Sequence, residues 1–493
     1  MRLDRLIERA GLAAKVASDV QATGFAIDNR KVAPGTVFGA FQGSRVNGED
    51  FIPAAIDAGA VAVVARSEAA VEGAIHIAAE EPRQAFALLA AQFFQPTPEV
   101  VAAITGTNGK TSTAEMTRQL WRMAGNRAAS IGTLGVTTPD ESVSTGLTTP
   151  DIATFLATMT GLAREGTTHV VYEASSHGLS QFRNEGLAVS AGAFTNFSRD
   201  HLDYHADMDE YFAAKMRLFT GVVSKGGTAI VWTGKSEWTG KAIEHAQVSG
   251  LRVLKVGEQG CQAKNYLTLL ARSPTQLGQE LDIEFEGQKR TISLPLIGEY
   301  QAANALTAAA LVLATGGDAS MTFDAVSRLQ PVRGRLERAV ITPAGAPVYV
   351  DYAHTADALE AAIAALLPHT EGRLIAVFGA GGDRDQGKRA EMGAAVSGQA
   401  DLVIVTDDNP RGEDPNVIRA AILEGAPGAT EIGDRREAIS SAVREAGPKD
   451  IVLIAGKGHE QGQIIGSGDD MRILPFDDVA VARQCAAEIG AEA

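Results

Sequence analysis

Short runs of aliphatic and β-branched residues, each followed by a segment with apolar positions at helical spacing, recur from residue 100 onward. Runs this short and this continuously apolar read as strands buried on both faces, and their alternation with helices predicts mostly parallel sheets covered by helices. In the middle of the chain they are VVAAIT (100–105), THVVYEA (168–174), AGAFTN (191–196) and GTAIVW (227–232). The last third repeats the grammar with VYVDYA, RLIAVFGA, DLVIVTDD and DIVLIAG. That predicts a Rossmann-like doubly wound domain with ligands beyond the carboxyl ends of its strands. The opening MRLDRLIERAGLAAK predicts an amphipathic helix, and the turn-rich DNRKVAPGTVFGAFQG a small α/β domain with it.

Two seams divide the chain. Gln95-Pro96-Thr97-Pro98 stops an alanine-rich helical run just before a strand, since the residue before a proline is pushed out of the helical region. LQPVRGRLER, at 329–338, sets proline, glycine and arginine between a helix and the next strand. The fold expected is α/β in three domains: 1–97, a small N-terminal α/β accessory domain; 98–330, a central P-loop-type domain on a mostly parallel sheet; and 331–493, the C-terminal doubly wound domain. A length of 493 residues, at ~150 per domain, agrees.

A hydrophobic fraction of 45% with 21% charged residues excludes disorder. The 44 Lys+Arg against 60 Asp+Glu leave a net charge of −16, which argues against a surface built to grip nucleic acid or an anionic membrane. Cys261 and Cys485 have neither metal-ligand spacing nor a disulfide pattern, which fits a reducing cytoplasm. Charge scattered through the first residues excludes a signal-peptide core, and the apolar stretch at 305–314 is far short of the ~18 residues a membrane span needs. The expectation is a cytoplasmic monomer working on small molecules.

VVAAITGTNGKT, at 100–111, runs strand, glycine loop, helix, with Met116, Leu120, Met123 and Ala124 at helical spacing and Gly125 as a stop. Gly106 and Gly109 let backbone N–H groups turn toward an anion, the helix start adds partial positive charge, and Lys110 adds a full one. Thr111 places a hydroxyl for Mg²⁺. A plain glycine turn is the alternative, but it does not require Lys-Thr at the helix start. The glycine spacing is shorter by two than in G-x-x-x-x-G-K-[ST].

Downstream, strand 168–174 delivers Glu173, and strand 191–196 leads into TNFSRDHLDYH, which sets His201, Asp203 and His205 just past a strand end. Oxygen and imidazole ligands there suit Mg²⁺ held between protein and triphosphate. A zinc pair at His201 and His205 is a rival, and a helix start capped by Asp and His is the plain reading. In DEYFAAKMRLF, at 209–219, Tyr211, Phe212, Leu218 and Phe219 make an apolar stripe with Lys215 inside it. On these residues snorkelling is the readier explanation, with the stem packed and the ammonium in water. The other is a desolvated amine that loses its proton and takes up CO₂ as a carbamate.

GTNGKTS in this form resembles the ATP loop of the Mur ligase family, which includes folylpolyglutamate synthases. The resemblance extends over nearly the whole chain, through DNRKVAPGTVFGAFQG, TTPD, EASSHGLSQFR, TNFSRDHLDYH, YFAAKMRLF, GEYQAANALTA, RGRLE, DYAHTADAL, GGDRDQGKR, TDDNPRGEDP and AGKGHE. It implies an ATP-dependent ligase that adds meso-diaminopimelate to UDP-N-acetylmuramoyl-L-alanyl-D-glutamate through an acyl phosphate, in peptidoglycan precursor synthesis. By resemblance Gly106, Thr107, Asn108, Gly109, Lys110, Thr111 and Ser112 hold ATP, with Asn304 at the adenine, Arg335 near phosphate, Asp351 at the ribose and His354 close by. Thr111, Glu173, His201 and a carbamylated Lys215 would serve two Mg²⁺ ions, which reverses the snorkelling reading.

The nucleotide sugar would lie against Ile27, Asn29, Ser44, Arg45 and Val46 at its uridine end, and against Leu147, Thr148, Thr149, Ser175, Gln181 and Arg183 at its sugar and peptide. At Asn29 the family commonly shows serine. Asp408, Asn409, Pro410 and Arg411 resemble the family's diaminopimelate signature, which Arg384, Gly456 and Glu460 complete. The chemistry is legible: diaminopimelate sets a carboxylate beside its second ammonium, a pairing lysine lacks, so selection needs an arginine fork and an acid. On the residues alone other readings stay open: Arg411 pairing with Glu413 or Asp414, Asn304 as a helix-start amide, Arg335 as a linker charge and Asp351 as a strand-end cap. Nucleotide contacts from two domains would imply closure of the third. A folylpolyglutamate synthase-like ligase, which requires neither the first domain nor DNPR, and a nucleotide switch, for which no N-K-x-D motif is present, are the alternatives.

Overall fold

The computed structural model describes residues 1–14, 19–43, 46–138, 140–143, 148–202, 204–234, 236–258, 266–275, 278–383 and 386–492. Ser44, Arg45, Leu147, Asp203, Cys261 and Arg384 lie outside the described residues. The chain is mixed α/β, and its three domains each have their own sheet. By packing it forms two units, one around Met1–Gly257 with Thr307–Thr322, the other around Leu267–Leu306 with Phe323–Ala493. No helix among the described residues is long and apolar enough to cross a membrane.

The N-terminal sheet has four parallel strands, Gly24–Ala26, Thr36–Gly39, Ala60–Ala65 and Ile75–Ala78. The amphipathic start forms helix Leu3–Arg9, which buries Leu3, Leu6 and Ile7. Helix Pro82–Phe93 turns Phe86 inward, where its ring meets Phe25 edge-on at 5.5 Å.

In the central domain the continuously apolar strand Val100–Thr105 lies between two parallel neighbours, Val189–Phe194 and His169–Glu173. The register pairs Thr105 with Phe194 and Ile104 with Glu173. The carboxyl ends of all three strands therefore fall on one edge, and the glycine loop, Glu173 and Thr195-Asn196 emerge side by side. Ala128–Gly132 extends the sheet beyond His169–Glu173, and Val223–Thr233 with Arg252–Glu258 extends it on the other side, all parallel. Helix Lys110–Met123 starts at Gly109, whose φ of 83° favours glycine, and buries Met116, Leu120 and Trp121. It stops where the sequence implied, with Gly125 at φ 88°.

The sequence reading missed strands Tyr266–Thr275, Gly278–Phe285 and Gln288–Leu294, which pair antiparallel with one another. Their apolar residues alternate with charged ones (LDIEF), the mark of a sheet wet on one face, so no unbroken apolar run announces them.

The C-terminal sheet runs in the order Glu337–Ile341, Pro347–Asp351, Ile451–Ala455, Leu374–Phe378, Leu402–Val405, Thr430–Glu431, with only the first strand antiparallel. Leu359, Ile363, Leu366 and Met392 fill one face of it and Ile439, Val443 and Ala482 the other, as a doubly wound domain requires. The loops after Asp351, Phe378, Val405 and Ala455 share one edge.

Candidate active site

The phosphate loop is tied down from the strand beside it. Thr107 N donates to Asn196 O (3.0 Å) and Asn108 N to Asn196 Oδ1 (2.8 Å), while Thr195 Oγ1 and Asn196 Nδ2 donate to Asn108 O (2.6 and 3.1 Å). Gly106 has φ 146°, and a Cβ there would lie 2.0 Å from Thr195 Oγ1. Lys110 Nζ donates to the carbonyls of Gly106 and Thr107 at 2.9 and 2.8 Å, which places a cation at the mouth of the loop. Thr111 and Ser112 are buried in the first turn of the helix.

Thr111 Oγ1 donates to Glu173 Oε2 at 3.0 Å. Glu173 is only 2% exposed; Thr133 N donates to its other oxygen (2.7 Å) and Thr133 Oγ1 to Oε2 (3.1 Å). A Cβ on Gly132 would fall 2.1 Å from Glu173 Oε1, so that glycine makes room for the carboxylate. A hydroxyl and a fixed carboxylate beside a phosphate loop are hard oxygen donors, and they fit Mg²⁺. His201 follows with φ 54°, 3.4 Å from Asp200. Burial pulls its imidazole below the usual histidine range against the pull of Asp200, with Lys110 and Lys215 adding to the fall. The rings of His201 and His205 flank Tyr211 at 5.9 and 5.2 Å. Among the described residues no three His, Cys, Asp or Glu side chains converge as a metal cage, so the zinc pair has no third ligand of that kind.

Snorkelling at Lys215 is overturned. Helix Met208–Arg217 buries the residue to 1% exposure, and Nζ donates to Gly106 O at 2.7 Å, with the Tyr211 ring 4.5 Å away. Its stem runs in toward the phosphate loop instead of out to water. Burial, and then the charge of Lys110, holds the ammonium well below the usual lysine range.

One hydrogen-bonded network joins most of the residues assigned to sugar and peptide. Thr148 Oγ1 lies 3.1 Å from Thr133 Oγ1, and Thr149 Oγ1 donates to Glu173 O at 2.9 Å and lies 3.0 Å from Ser175 Oγ, which caps helix Ser176–Ser180. Arg183 reaches Thr149 O (2.9 Å) and Gln181 Oε1 (2.6 Å), and Gln181 Nε2 donates to the Tyr204 hydroxyl at 3.0 Å. Ile27 packs against the N-terminal core, Asn29 opens a short 3₁₀ turn capped by Asp28, and Val46 is exposed. Nearby, the Arg83 guanidinium sits 4.9 Å over Phe41 and donates to Gln42 O at 3.0 Å. Burial, and then the charge of Arg183, lowers its affinity for its proton.

In the other unit, Asn304 is buried on helix Glu299–Ala314 with Nδ2 3.5 Å from Gln301 Oε1, and Gln301 Nε2 donates to Arg335 O at 3.0 Å. The Arg335 guanidinium lies 4.5 Å over Tyr352, and the His354 ring lies 4.7 Å from the same side chain. Asp351 accepts from Leu336 N and Ala353 N at 2.7 and 2.8 Å, the strand-end cap that its position allowed. Burial raises its carboxyl above the usual range.

The DNPR loop is stapled to the segment after GKGHE. Arg411 N donates to Ile464 O (3.1 Å), Gly466 N to Arg411 O (2.7 Å) and Gln463 Nε2 to Asp408 O (2.8 Å). Arg411, at φ 51°, sends Nη1 to Gly382 O at 2.8 Å. The exposed pairing considered for it is absent: Glu413 binds Arg389 at 2.9 Å and Asp414 caps helix Pro415–Leu423. Among the described residues no carboxylate pairs with Arg411. Asn409 Nδ2 donates to Glu460 Oε2 at 2.8 Å, and Gly456, at φ 115°, leaves space for Asp408, whose Oδ2 would lie 2.4 Å from a Cβ there.

Three family models tile the chain: "Mur ligase family, catalytic domain" over 21–108, "Mur ligase middle domain" over 104–312 and "Mur ligase, glutamate ligase domain" over 334–458. The chain belongs to the Mur ligase family. Among its relatives, the UDP-N-acetylmuramoyl-L-alanyl-D-glutamate–2,6-diaminopimelate ligase of Zymomonas mobilis subsp. mobilis is 59% identical over 94% of this chain and 95% of that protein. The protein of the same name from Bradyrhizobium diazoefficiens is 47% identical over 99% of this chain and 100% of its own length. A solved structure of a ligase of that name superposes with a TM-score of 0.72 at 32% identity, covering 98% of this chain and 99% of its own. A Mycobacterium tuberculosis folylpolyglutamate synthase, at 22% identity and TM-score 0.61 over 74% of this chain and 89% of its own, shares the fold.

Proposed function

We propose that this chain is an ATP-dependent ligase that joins meso-diaminopimelate to UDP-N-acetylmuramoyl-L-alanyl-D-glutamate, as a cytoplasmic monomer, in peptidoglycan precursor synthesis. A carboxylate resists attack by an amine, so the D-glutamyl carboxylate first takes the γ-phosphoryl group of ATP. The amine of diaminopimelate then attacks the acyl phosphate, and phosphate leaves. Lys110 and the loop N–H groups stabilise the triphosphate oxygens as charge shifts. Mg²⁺, when bound, neutralises charge on the same oxygens. Thr111, Glu173 and His201 are the side chains to hold it, joined by Lys215 as a carbamate. The buried Lys215 amine, with its ammonium disfavoured, adds to CO₂ and releases a proton to give that carboxylate-like ligand. The network of Thr148, Thr149, Ser175, Gln181 and Arg183 orients the sugar-peptide beside Glu173. No nucleophilic side chain is required; positioning and electrostatics carry the rate.

The choice of amino acid rests on one observation: Arg411 has a guanidinium with no carboxylate partner among the described residues, on a loop stapled beside Glu460. Phosphate release should require the nucleotide peptide, and amide product should require diaminopimelate as well. In competition with lysine the wild type should use diaminopimelate, and Arg411→Ala should lose roughly 10–100-fold in kcat/KM for it, as for a lost charge-assisted pair. Equal use of both amines by the wild type overturns the specificity.

A further inference from the structure

A fully buried cation lies under the proposed amino-acid pocket and none of the roles above employs it. Lys457 has 0% side-chain exposure, and its Nζ donates to Asn409 Oδ1 and to Gly462 O, both at 2.8 Å. Two carboxylates stand close by, Asp408 at 3.5 Å and Glu460 at 3.8 Å. The lysine is flanked by Gly456 and Gly458, both at positive φ, and a Cβ on either would run into Asp408 or Tyr352.

The consequence is read at Asn409. An amide has one acceptor end and one donor end, and here the acceptor end receives two bonds, from Lys457 Nζ and from Ile464 N at 2.9 Å. The donor end then faces Glu460, whose Oε2 it holds at 2.8 Å. An ammonium fixes which way the amide faces, and the amide fixes one oxygen of the carboxylate while the other stays available. The charges also suit a cationic guest. Around Lys457 itself one ammonium stands between two carboxylates, a local excess of negative charge that suits the ammonium of the guest, with Arg411 left for the guest's carboxylate and the neighbouring Arg435 matched by Asp478 at 2.7 Å.

We propose that Lys457 is a positioning residue for the amino-acid substrate: from beneath the pocket it orients Asn409, and through it the Glu460 carboxylate, to receive the second ammonium of diaminopimelate. The inference rests on the pocket assigned under the proposed function. It predicts a separation between kinetic constants that general loosening would not produce. In the full chain Lys457→Met should raise KM for meso-diaminopimelate by at least about tenfold, while KM for ATP, KM for the nucleotide peptide and kcat stay within about threefold. Lys457→Arg, which keeps the charge but replaces the compact ammonium with a larger planar guanidinium, should show a smaller rise in the same constant. An unchanged KM for diaminopimelate in Lys457→Met, or parallel loss in all constants, overturns the role. Should Lys457→Met fail to fold by thermal melting, Lys457→Arg decides: a selective rise in that KM supports the role and wild-type constants overturn it. A wild type that makes no amide from diaminopimelate refutes the function itself, a result distinct from a wild type that does so with Lys457 dispensable.

Discussion

Replacing Gly106 with alanine is the sharpest perturbation of the phosphate loop. The glycine holds φ 146°, outside the regions an L side chain adopts readily, and a Cβ would sit 2.0 Å from Thr195 Oγ1 and 3.1 Å from both N and O of Asn196. Backbone strain of this kind costs about 1–3 kcal/mol. Relief by moving Thr195 breaks its 2.6 Å bond to Asn108 O, a further ~1 kcal/mol. The Gly106 carbonyl accepts from both Lys110 and Lys215, so any rotation of it misplaces two amines at once. Together these amount to ~2–4 kcal/mol on the loop, and expressed in the transition state they should lower kcat/KM for ATP by roughly 30–1,000-fold. The assay is steady-state phosphate release with both other substrates saturating, beside a thermal melt. Gly125→Ala is the control: φ is 88° there, but nothing lies within 4 Å of the added carbon, so stability should fall by about 1 kcal/mol with turnover intact. A Gly106→Ala enzyme within about threefold of wild-type kcat/KM would refute the reasoning.

Asp478→Asn strips the partner from Arg435 in an ion pair with 0% exposure on both sides, and should cost about 3–5 kcal/mol in denaturant unfolding. Lys215→Met should abolish a carbamate resonance that the wild type shows by carbon NMR in isotopically labelled bicarbonate; its absence from the wild type removes that ligand from the proposed metal set. Burial, and then Arg335 and Arg333, press the His459 imidazole down to about 3 from 6.5. The folded chain therefore keeps it neutral while the unfolded chain takes up a proton, so stability falls as pH drops from 6.5 toward 3, and His459→Asn should flatten the dependence of melting temperature on pH across that window. An unchanged slope would place the acid sensitivity on other groups.

The fold was most legible where burial on both faces leaves an unbroken apolar run. Val100–Thr105 and Ile451–Ala455 coincide with VVAAIT and DIVLIAG to within a residue, because each is buried along almost its whole length and has no charged position to interrupt it. Strand Val223–Thr233 starts four residues before the apolar run at 227: Val223 pairs with Val189 and Thr228 with Ala191, so residues 224–227 form a bulge in the register that no apolar pattern announces. The antiparallel strands between 266 and 294 were less legible for the related reason that a half-wet strand shows alternation in place of a continuous apolar run.

The site divides along the same physical line, with two buried lysines marking it. Lys215 announced itself, because a cation inside a stripe of Tyr211, Phe212, Leu218 and Phe219 breaks a helical period and demands an explanation. Periodicity shows the anomaly but not the direction of the stem, so the residues alone favoured escape to water, while the chain folds the ammonium onto Gly106 O. Lys457 gave no such sign. It sits in a turn between two glycines, where no pattern sets an expected exposure, and its partners Asn409 and Gly462 lie 48 and 5 positions away. Thr133 and Asn196 were silent for the same reason: each serves through a backbone N–H or an amide aimed at a neighbour that only strand register brings alongside. Residues whose chemistry is carried by type and local spacing can be read from the chain, but residues that act by holding another in place become visible only once the fold sets their neighbours alongside, as the register of Ile131 against Tyr172 does for Thr133 and that of Thr105 against Phe194 for Asn196.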